Sequence, residues 1–216
     1  MPRPSQNVVE LRSRDSDRTQ EVILRSAMGE FSERGLGGAR VDRIADRAGI
    51  NKKLIYYYFG NKEKLFLAVL ETTYADIRQA ERALNLETLA PADAVRGLVA
   101  FTWQYFLDHP EFLNLLNSEN LHGARHLRQS KRIQEMHSPL VHLLGDVLER
   151  GRKAGVFRGG VDPVQLYVSV AALAYFYLSN NPTLSTIFGR NLRAPKALSE
   201  RLSHITEVVM GYLLRD

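Results

Sequence analysis

Residues 47–66 read RAGINKKLIYYYFGNKEKLF. Three consecutive tyrosines, Tyr56, Tyr57 and Tyr58, stand between Asn51, Lys52 and Lys53 on one side and Lys62 and Lys64 on the other. Ala48-Gly49-Ile50 predicts a tight turn, because Gly49 can take positive φ without a Cβ clash. Asn51 predicts an N-cap for a helix running to Tyr58, and Gly60 breaks that helix before Asn61 caps the next. Upstream, Val41 to Arg47 predicts a short helix. Two short helices joined by a glycine turn make a helix-turn-helix unit.

Its faces separate by periodicity. Val41, Ile44, Ala45 and Ala48 face inward, and Ile50 plugs the turn. Ile55 and Phe59, four apart, close the underside of the second helix. Tyr58, which precedes Phe59, is read as packing. That leaves Lys52, Lys53, Tyr56 and Tyr57 outside, where no core needs them. A short helix carrying lysines and tyrosines on its outer face fits a DNA major groove. Asn51 turns a helix N-terminus, with its unpaired N–H groups, toward a phosphate, and Lys62 does the same at the start of the fourth helix.

The rest of the first third supports this unit. Residues 1–16 are polar, with Arg3, Arg12 and Arg14, and predict a disordered arm. Asp17 and Gln20 form a capping box for a helix over 17–34, whose core face is Ile23, Ala27 and Phe31. Gly35, Gly37 and Gly38 end it. The chain of 216 residues has a net charge of +5, and residues 1–64 hold thirteen of the 29 Lys and Arg against nine of the 24 Asp and Glu, or +4. Excess positive charge therefore gathers where the helix-turn-helix lies.

Here the sequence resembles the TetR family of bacterial regulators. The resemblance runs from Gly35 to Leu65 and rests on Gly35, Val41, Ile44-Ala45, Ala48-Gly49-Ile50, Tyr56, Phe59, Lys62-Glu63 and Leu65. It implies DNA contacts from Arg40 and Arg43 at the start of the second helix. It further implies contacts from Asn51, Lys52, Lys53, Tyr56 and Tyr57 on the recognition helix, and from Lys62. Three departures bear on the operator sequence. Ala39-Arg40 stands where hydroxyl residues are common, Lys53-Leu54 replaces smaller residues, and Tyr58 replaces a histidine.

The fold class is all-α. A three-helix DNA-binding domain over 17–64 is followed by a helical ligand-binding and dimerisation domain over 65–216, giving nine to ten helices in total. The later helices are predicted at 91–109, 110–121, 124–135, 139–154, 163–180 and 195–215, with Pro91, Pro110, Pro139, Pro163 and Pro195 in first-turn positions. No segment alternates with period two. The two apolar terminal helices predict a dimer interface of Leu173, Tyr177, Leu198, Leu202, Ile205, Val208, Val209 and Tyr212. Effector candidates are Trp103, Phe106, Tyr167, Tyr175 and Phe176 as apolar walls. Asn117, Asn120, His122, Arg125, His126 and His137 are the polar contacts, with Arg125 suited to a carboxylate.

Other classes fare worse. With no cysteine, disulfides and thiolate chemistry are excluded. The chain has no Gly-x-Ser-x-Gly, no His-Glu-x-x-His and no phosphate loop, so it is read as no enzyme. Glu119, His122 and His126 fall at i, i+3 and i+7, but Gly123 weakens that helix and no fourth ligand appears. No metal or cofactor is expected. The N-terminus lacks a secretory apolar core and the apolar run after Pro163 is too short to span a bilayer, so a cytoplasmic location without membrane contact is expected. The partners expected are operator DNA, a small organic effector and a second copy of the chain. The function expected is repression relieved by that effector, with activation, or regulation without a ligand, as the alternative.

Overall fold

The computed structural model describes residues 6–214; for residues 6–14, Gln134, His137 and Ser138 it describes the backbone alone. Among the described residues there are ten α-helices, two 3-10 turns and no sheet, with one isolated bridge between Phe157 and Leu214. The chain divides into two compact units. The first comprises residues 1–73 and 114–130, the second residues 74–113 and 131–216. The predicted boundary near residue 65 thus falls in the same helix but later, and the first unit also takes in a segment from far along the chain.

In the first unit, α1 (Gln6–Gly38) precedes α2 (Val41–Ala48) and α3 (Lys52–Phe59), and α4 (Lys62–Arg82) follows. Helix α1 begins at Gln6 rather than Asp17, because residues 6–16 take helical backbone where an arm was expected. Arg12 and Arg14 have side chains outside the described residues, as does Arg3 entirely. Ile23, Ala27 and Phe31 are fully buried, as their four-residue spacing requires. The Phe31 ring meets that of Phe66 on α4 edge to face, 5.1 Å between centroids. Gly35 breaks α1 with φ +63.

What orients α2 is one carboxylate. Glu30 on α1 is 0% exposed. Its Oε1 accepts the backbone N–H of Arg40 at 3.1 Å and the Nε–H of Arg43 at 2.7 Å. Arg47 reaches within 3.8 Å of Oε2. Arg40 occupies the N-cap of α2 and supplies no side-chain cap of its own. Glu30 therefore binds the N-cap N–H from a neighbouring helix, a task a capping-box glutamate performs within its own helix. Burial alone pushes the Glu30 carboxyl up. The hydrogen bonds from Arg43 and Arg40 and the charges of Arg43 and Arg47 outweigh it and hold the group below its ordinary value.

The later part of α6 (Pro110–Leu121) and the turn after it also belong to the first unit. The helix predicted over 124–135 does not start at 124; residues 131–135 instead open the next helix, Lys131–Lys153. Gly123 and Ala124 take positive φ, and Leu127–Gln129 is a single 3-10 turn. Glu119, 0% exposed, holds this turn: Oε1 accepts the N–H groups of His126 and Leu127, and Oε2 lies 2.6 Å from His126 Nδ1. The His126 ring meets Phe66 edge to face.

In the second unit, α5 (Pro91–Asp108) packs against α7 (Lys131–Lys153), α8 (Pro163–Ser179) and α10 (Pro195–Leu213). Trp103, Leu98, Val99 and Phe106 of α5 are buried in its core. Pro139 does not start a helix; it lies inside α7, which runs continuously from Lys131. Proline has no N–H to give the carbonyl of residue 135, a loss that solvent can offset because residues 135 and 139 are both exposed. After α8 a further helix, α9 (Asn181–Phe188), follows with Pro182 in its first turn. Sequence analysis ended the segment at Asn180–Pro182 because those residues read as a stop; they also open the next helix.

Two measurable consequences follow. Glu30→Gln keeps shape but removes charge, and is expected to cost about 1–3 kcal/mol at pH 7 in urea unfolding. The folded carboxyl lies below 4.5, so its contribution is complete above that pH and lost as pH falls through the folded value. The gap between wild type and variant should therefore narrow progressively below pH 4.5. At Gly151 a Cβ would stand 2.0 Å from the buried Phe157 ring, so Gly151→Ala should cost about 1–3 kcal/mol in the same assay.

Candidate nucleic-acid interface and effector unit

The turn between α2 and α3 forms as its residues require. Gly49 takes φ +65, and its N–H caps α2 at Asp46. Asn51 Oδ1 accepts the N–H of Lys53 at 2.9 Å and caps α3. Ile55 is buried at 1% exposed and anchors α3 from below. The opposite face carries Lys52, Lys53, Leu54, Tyr56 and Tyr57, all exposed, with Tyr57 at 78%. Tyr58 is half-buried, between the rings of Tyr57 and Phe59. Lys52 pairs with Asp42 across the turn at 2.8 Å, which raises the lysine and lowers the carboxyl. An exposed pair of this kind is weak and opens readily to a stronger anion.

The basic residues expected at DNA differ in how they are held. Arg40 is exposed. Arg43 donates to Glu30 and to the Gly38 carbonyl, so its guanidinium is fixed to α1. Lys62 donates to the carbonyls of Leu36 at 2.9 Å and Ala39 at 3.2 Å. Those carbonyls end α1, and a cation there satisfies acceptors a helix end leaves open. Lys62 thus also fastens α4 to the end of α1, beside the phosphate contact expected of it. Its ammonium has one N–H direction left. Sequence gave no sign of this, since the partners are backbone carbonyls 23 and 26 residues away.

The effector candidates fall into two groups. Asn117, Asn120, His122, Arg125 and His126 belong to the first unit. Asn117 is half-buried and Asn120 exposed. His122 Nδ1 lies 2.7 Å from the Ser118 carbonyl, and His126 is committed to Glu119. Arg125 is exposed and lines an open polar cleft with Asn61, Glu63, Lys64 and Gln129. Trp103, Phe106, Tyr167, Tyr175 and Phe176 belong to the second unit. Neither unit by itself assembles the predicted set. Trp103 and Phe106 are core, against Tyr177 and Phe112 respectively. Tyr175 is half-buried and Phe176 is exposed. The side chain of His137 lies outside the described residues.

Sequence analysis missed a polar cluster in the second unit. Arg78 and Glu81 on α4 are each only 3% exposed, with Arg78 Nη1 2.7 Å from Glu81 Oε2. Arg78 Nη2 donates to the Tyr167 hydroxyl of α8 at 2.8 Å. Burial drives the Glu81 carboxyl up to about 7, against the charges of Arg78 and Arg82. An Arg-x-x-Glu pair on a helix reads as a solvated surface pair, which hid its burial.

The dimer candidates also divide. Ile205, Val209 and Tyr177 are buried within their own unit, and the Tyr177 hydroxyl donates to the Leu192 carbonyl. Leu173, Leu198 and Leu202 are half-buried. Val208 at 44% and Tyr212 at 49% are exposed, together with Val164, Val168 and Phe176 on α8. The unpartnered apolar surface is therefore drawn from α8 as much as from α10, and excludes Ile205, Val209 and Tyr177.

Residues 23–69 match the tetR family of bacterial regulatory proteins, and residues 91–209 match the tetracyclin repressor-like C-terminal domain. The chain is 40% identical over 205 residues to the HTH-type transcriptional repressor NicS of Pseudomonas putida, covering 95% of this chain and 97% of that protein. It is 36% identical over 140 residues to the repressor SCO4008 of Streptomyces coelicolor, covering 64% of this chain and 69% of that one. In fold it resembles the transcriptional regulator FadR of Bacillus subtilis, solved in complex with stearoyl-CoA, with a TM-score of 0.65 at 15% identity over 89% of this chain and 98% of that one. No described helix is long and apolar enough to cross a membrane. With a capped recognition helix in its first unit and a matching helical domain behind it, the chain belongs to the tetR family of bacterial transcriptional regulators and is not an enzyme.

Proposed function

We propose that the protein is a cytoplasmic repressor that occupies a pseudopalindromic operator as a homodimer and leaves it when a small organic effector binds the second unit. The observation that carries the DNA reading is α3 itself. Ile55 fixes one side of the helix while Lys53, Tyr56 and Tyr57 stand exposed on the other. A short helix offering two aromatic hydroxyls and a cation suits base edges and phosphates of one major groove. The repressor named NicS, 40% identical along nearly the whole chain, supports repression over activation. Repression also needs only occupancy of a promoter.

Arg40, Arg43, Asn51, Lys52, Lys53, Tyr56, Tyr57 and Lys62 form the proposed footprint, with different duties. Lys53 is assigned phosphate neutralisation and Tyr57 base reading. Lys53→Ala should weaken binding to operator and random DNA alike and lower the salt slope by about one. Tyr57→Ala should weaken operator binding by about tenfold more than random DNA. Equal losses on both DNAs for Tyr57→Ala, in fluorescence anisotropy titrations, would remove the base-reading role.

The dimer is assigned to the exposed apolar surface of α8 and α10. One recognition helix alone has limited affinity, and a twofold pair reads two half-sites. Val208→Lys should give a folded monomer in sedimentation velocity with operator binding abolished. Ile205→Lys should instead unfold its own unit, because Ile205 is 1% exposed. A Val208→Lys dimer with unchanged operator affinity would move the interface elsewhere.

A further inference from the structure

The second unit contains a recess of about 90 Å³, open to solvent on one side, lined by Arg78, Glu81, Arg82, Met136, Pro139, Leu140 and Leu143. Its polar wall is α4 and its apolar wall is α7. Arg78 and Glu81 are nearly fully buried, whereas Arg82 is exposed. Among the described residues Arg78 Nε and Nη1 and Glu81 Oε2 have no hydrogen-bond partner. Arg78 and Glu81 lie close as charges, yet not aligned as a hydrogen bond. Buried polar atoms are almost always satisfied, so a charged cluster left short of partners inside a recess marks a place for a ligand's polar head.

The charge of the wall decides the sign of that head. Two guanidiniums face one carboxylate, and burial pushes that carboxylate toward its neutral form. The lining therefore has an excess of positive charge that one negative group would balance. Arginine is the side chain best shaped to bind a carboxylate. Met136, Leu140 and Leu143 offer the body of the ligand an apolar surface, with methionine adapting to its outline. The volume is well below the roughly 300–1,000 Å³ of a pocket enclosing a whole drug-sized ligand, so the recess takes a ligand's polar head and the near part of a compact body, the rest lying toward the open side.

We infer that the Arg78–Glu81 recess is the effector subsite for a small monocarboxylic acid with a compact apolar body, Arg78 binding the carboxylate while Leu140 and Leu143 pack its body. This rests on the effector reading above. It transfers the role of anion clamp from Arg125, which lies in the first unit, to Arg78.

The test is isothermal titration calorimetry of the full-length chain with benzoate, phenylacetate and hexanoate, each against its uncharged amide. At least one carboxylate should bind with an affinity of about 10 mM or better, and at least about tenfold tighter than its amide. The double variant R78Q/E81Q replaces both buried charges with neutral amides, isosteric for Glu81 and shorter for Arg78, and should lose that preference while still melting cooperatively. Leu143→Trp fills the recess from a half-exposed position and should abolish carboxylate binding even if the double variant fails to fold. The site is overturned if none of the three acids binds, if amides bind as well as acids, or if Leu143→Trp binds undiminished. Operator affinity is measured separately. An acid that binds through Arg78 and leaves operator affinity unchanged overturns the effector reading while keeping the site.

Discussion

The buried carboxylate of Glu30 is the contact on which the DNA-reading unit depends. Helix α2 has eight residues, too few to be stable alone, and its N-cap residue supplies no side-chain cap. Glu30 accepts the N–H of that N-cap residue, as a capping-box glutamate would, and draws in Arg43 and Arg47 besides. An ionised carboxylate without those donors would be costly at zero exposure. The three interactions thus form as a set, and they fix where along α1 the second helix begins. Helix α3 packs on α2, so the position of Lys53, Tyr56 and Tyr57 follows from that choice.

Glu119 solves the same problem elsewhere. Two adjacent backbone N–H groups, those of His126 and Leu127, would be orphaned after Gly123 and Ala124 break the helix. One fully buried carboxylate accepts both and orders the His126 ring against Phe66. The residues that seemed candidates for an effector or a metal are here the fastening of a turn. Glutamates that bind backbone amides from another segment do for this fold what side-chain caps ordinarily do locally.

The parts legible in the sequence are those governed by local rules. The glycine turn at Gly49, the cap at Asn51, the buried Ile55 and the exposed Tyr56 and Tyr57 depend on neighbours within four residues, and each lies where its spacing requires. The illegible parts depend on distant partners. Lys62 reads as a phosphate ligand alone until the carbonyls of Leu36 and Ala39 are seen against it. Arg78 and Glu81 drew no notice in the sequence, because the hydroxyl that Arg78 binds belongs to Tyr167, 89 residues away. Pro139 reads as a helix start because the chemistry of proline fits a first turn better than a helix interior, yet α7 carries it inside at an exposed position. Ile205 and Val208 carry the same apolar signal, and periodicity alone does not say which side of a helix coated all round meets its own core.

Helices shared by the two units offer one covalent route for coupling an effector to DNA. Helices α4 and α6 both cross the division between them. In the first unit both grip one residue. Lys62 of α4 donates to the Leu36 carbonyl, and Ser118 of α6 accepts the Leu36 N–H at 3.2 Å. Leu36 follows Gly35, where α1 breaks, and precedes Arg40, where Glu30 caps α2. A shift of either helix along its axis would pull on the joint between α1 and α2 rather than on a rigid stretch. A ligand can bias such a joint only by its difference in affinity between two arrangements. A coupling of about 1–3 kcal/mol corresponds to roughly 5–150-fold in operator affinity. Of the two grips on Leu36 only the one from Lys62 is a charged hydrogen bond, of about 1.5–3 kcal/mol; the one to Ser118 is neutral and weaker.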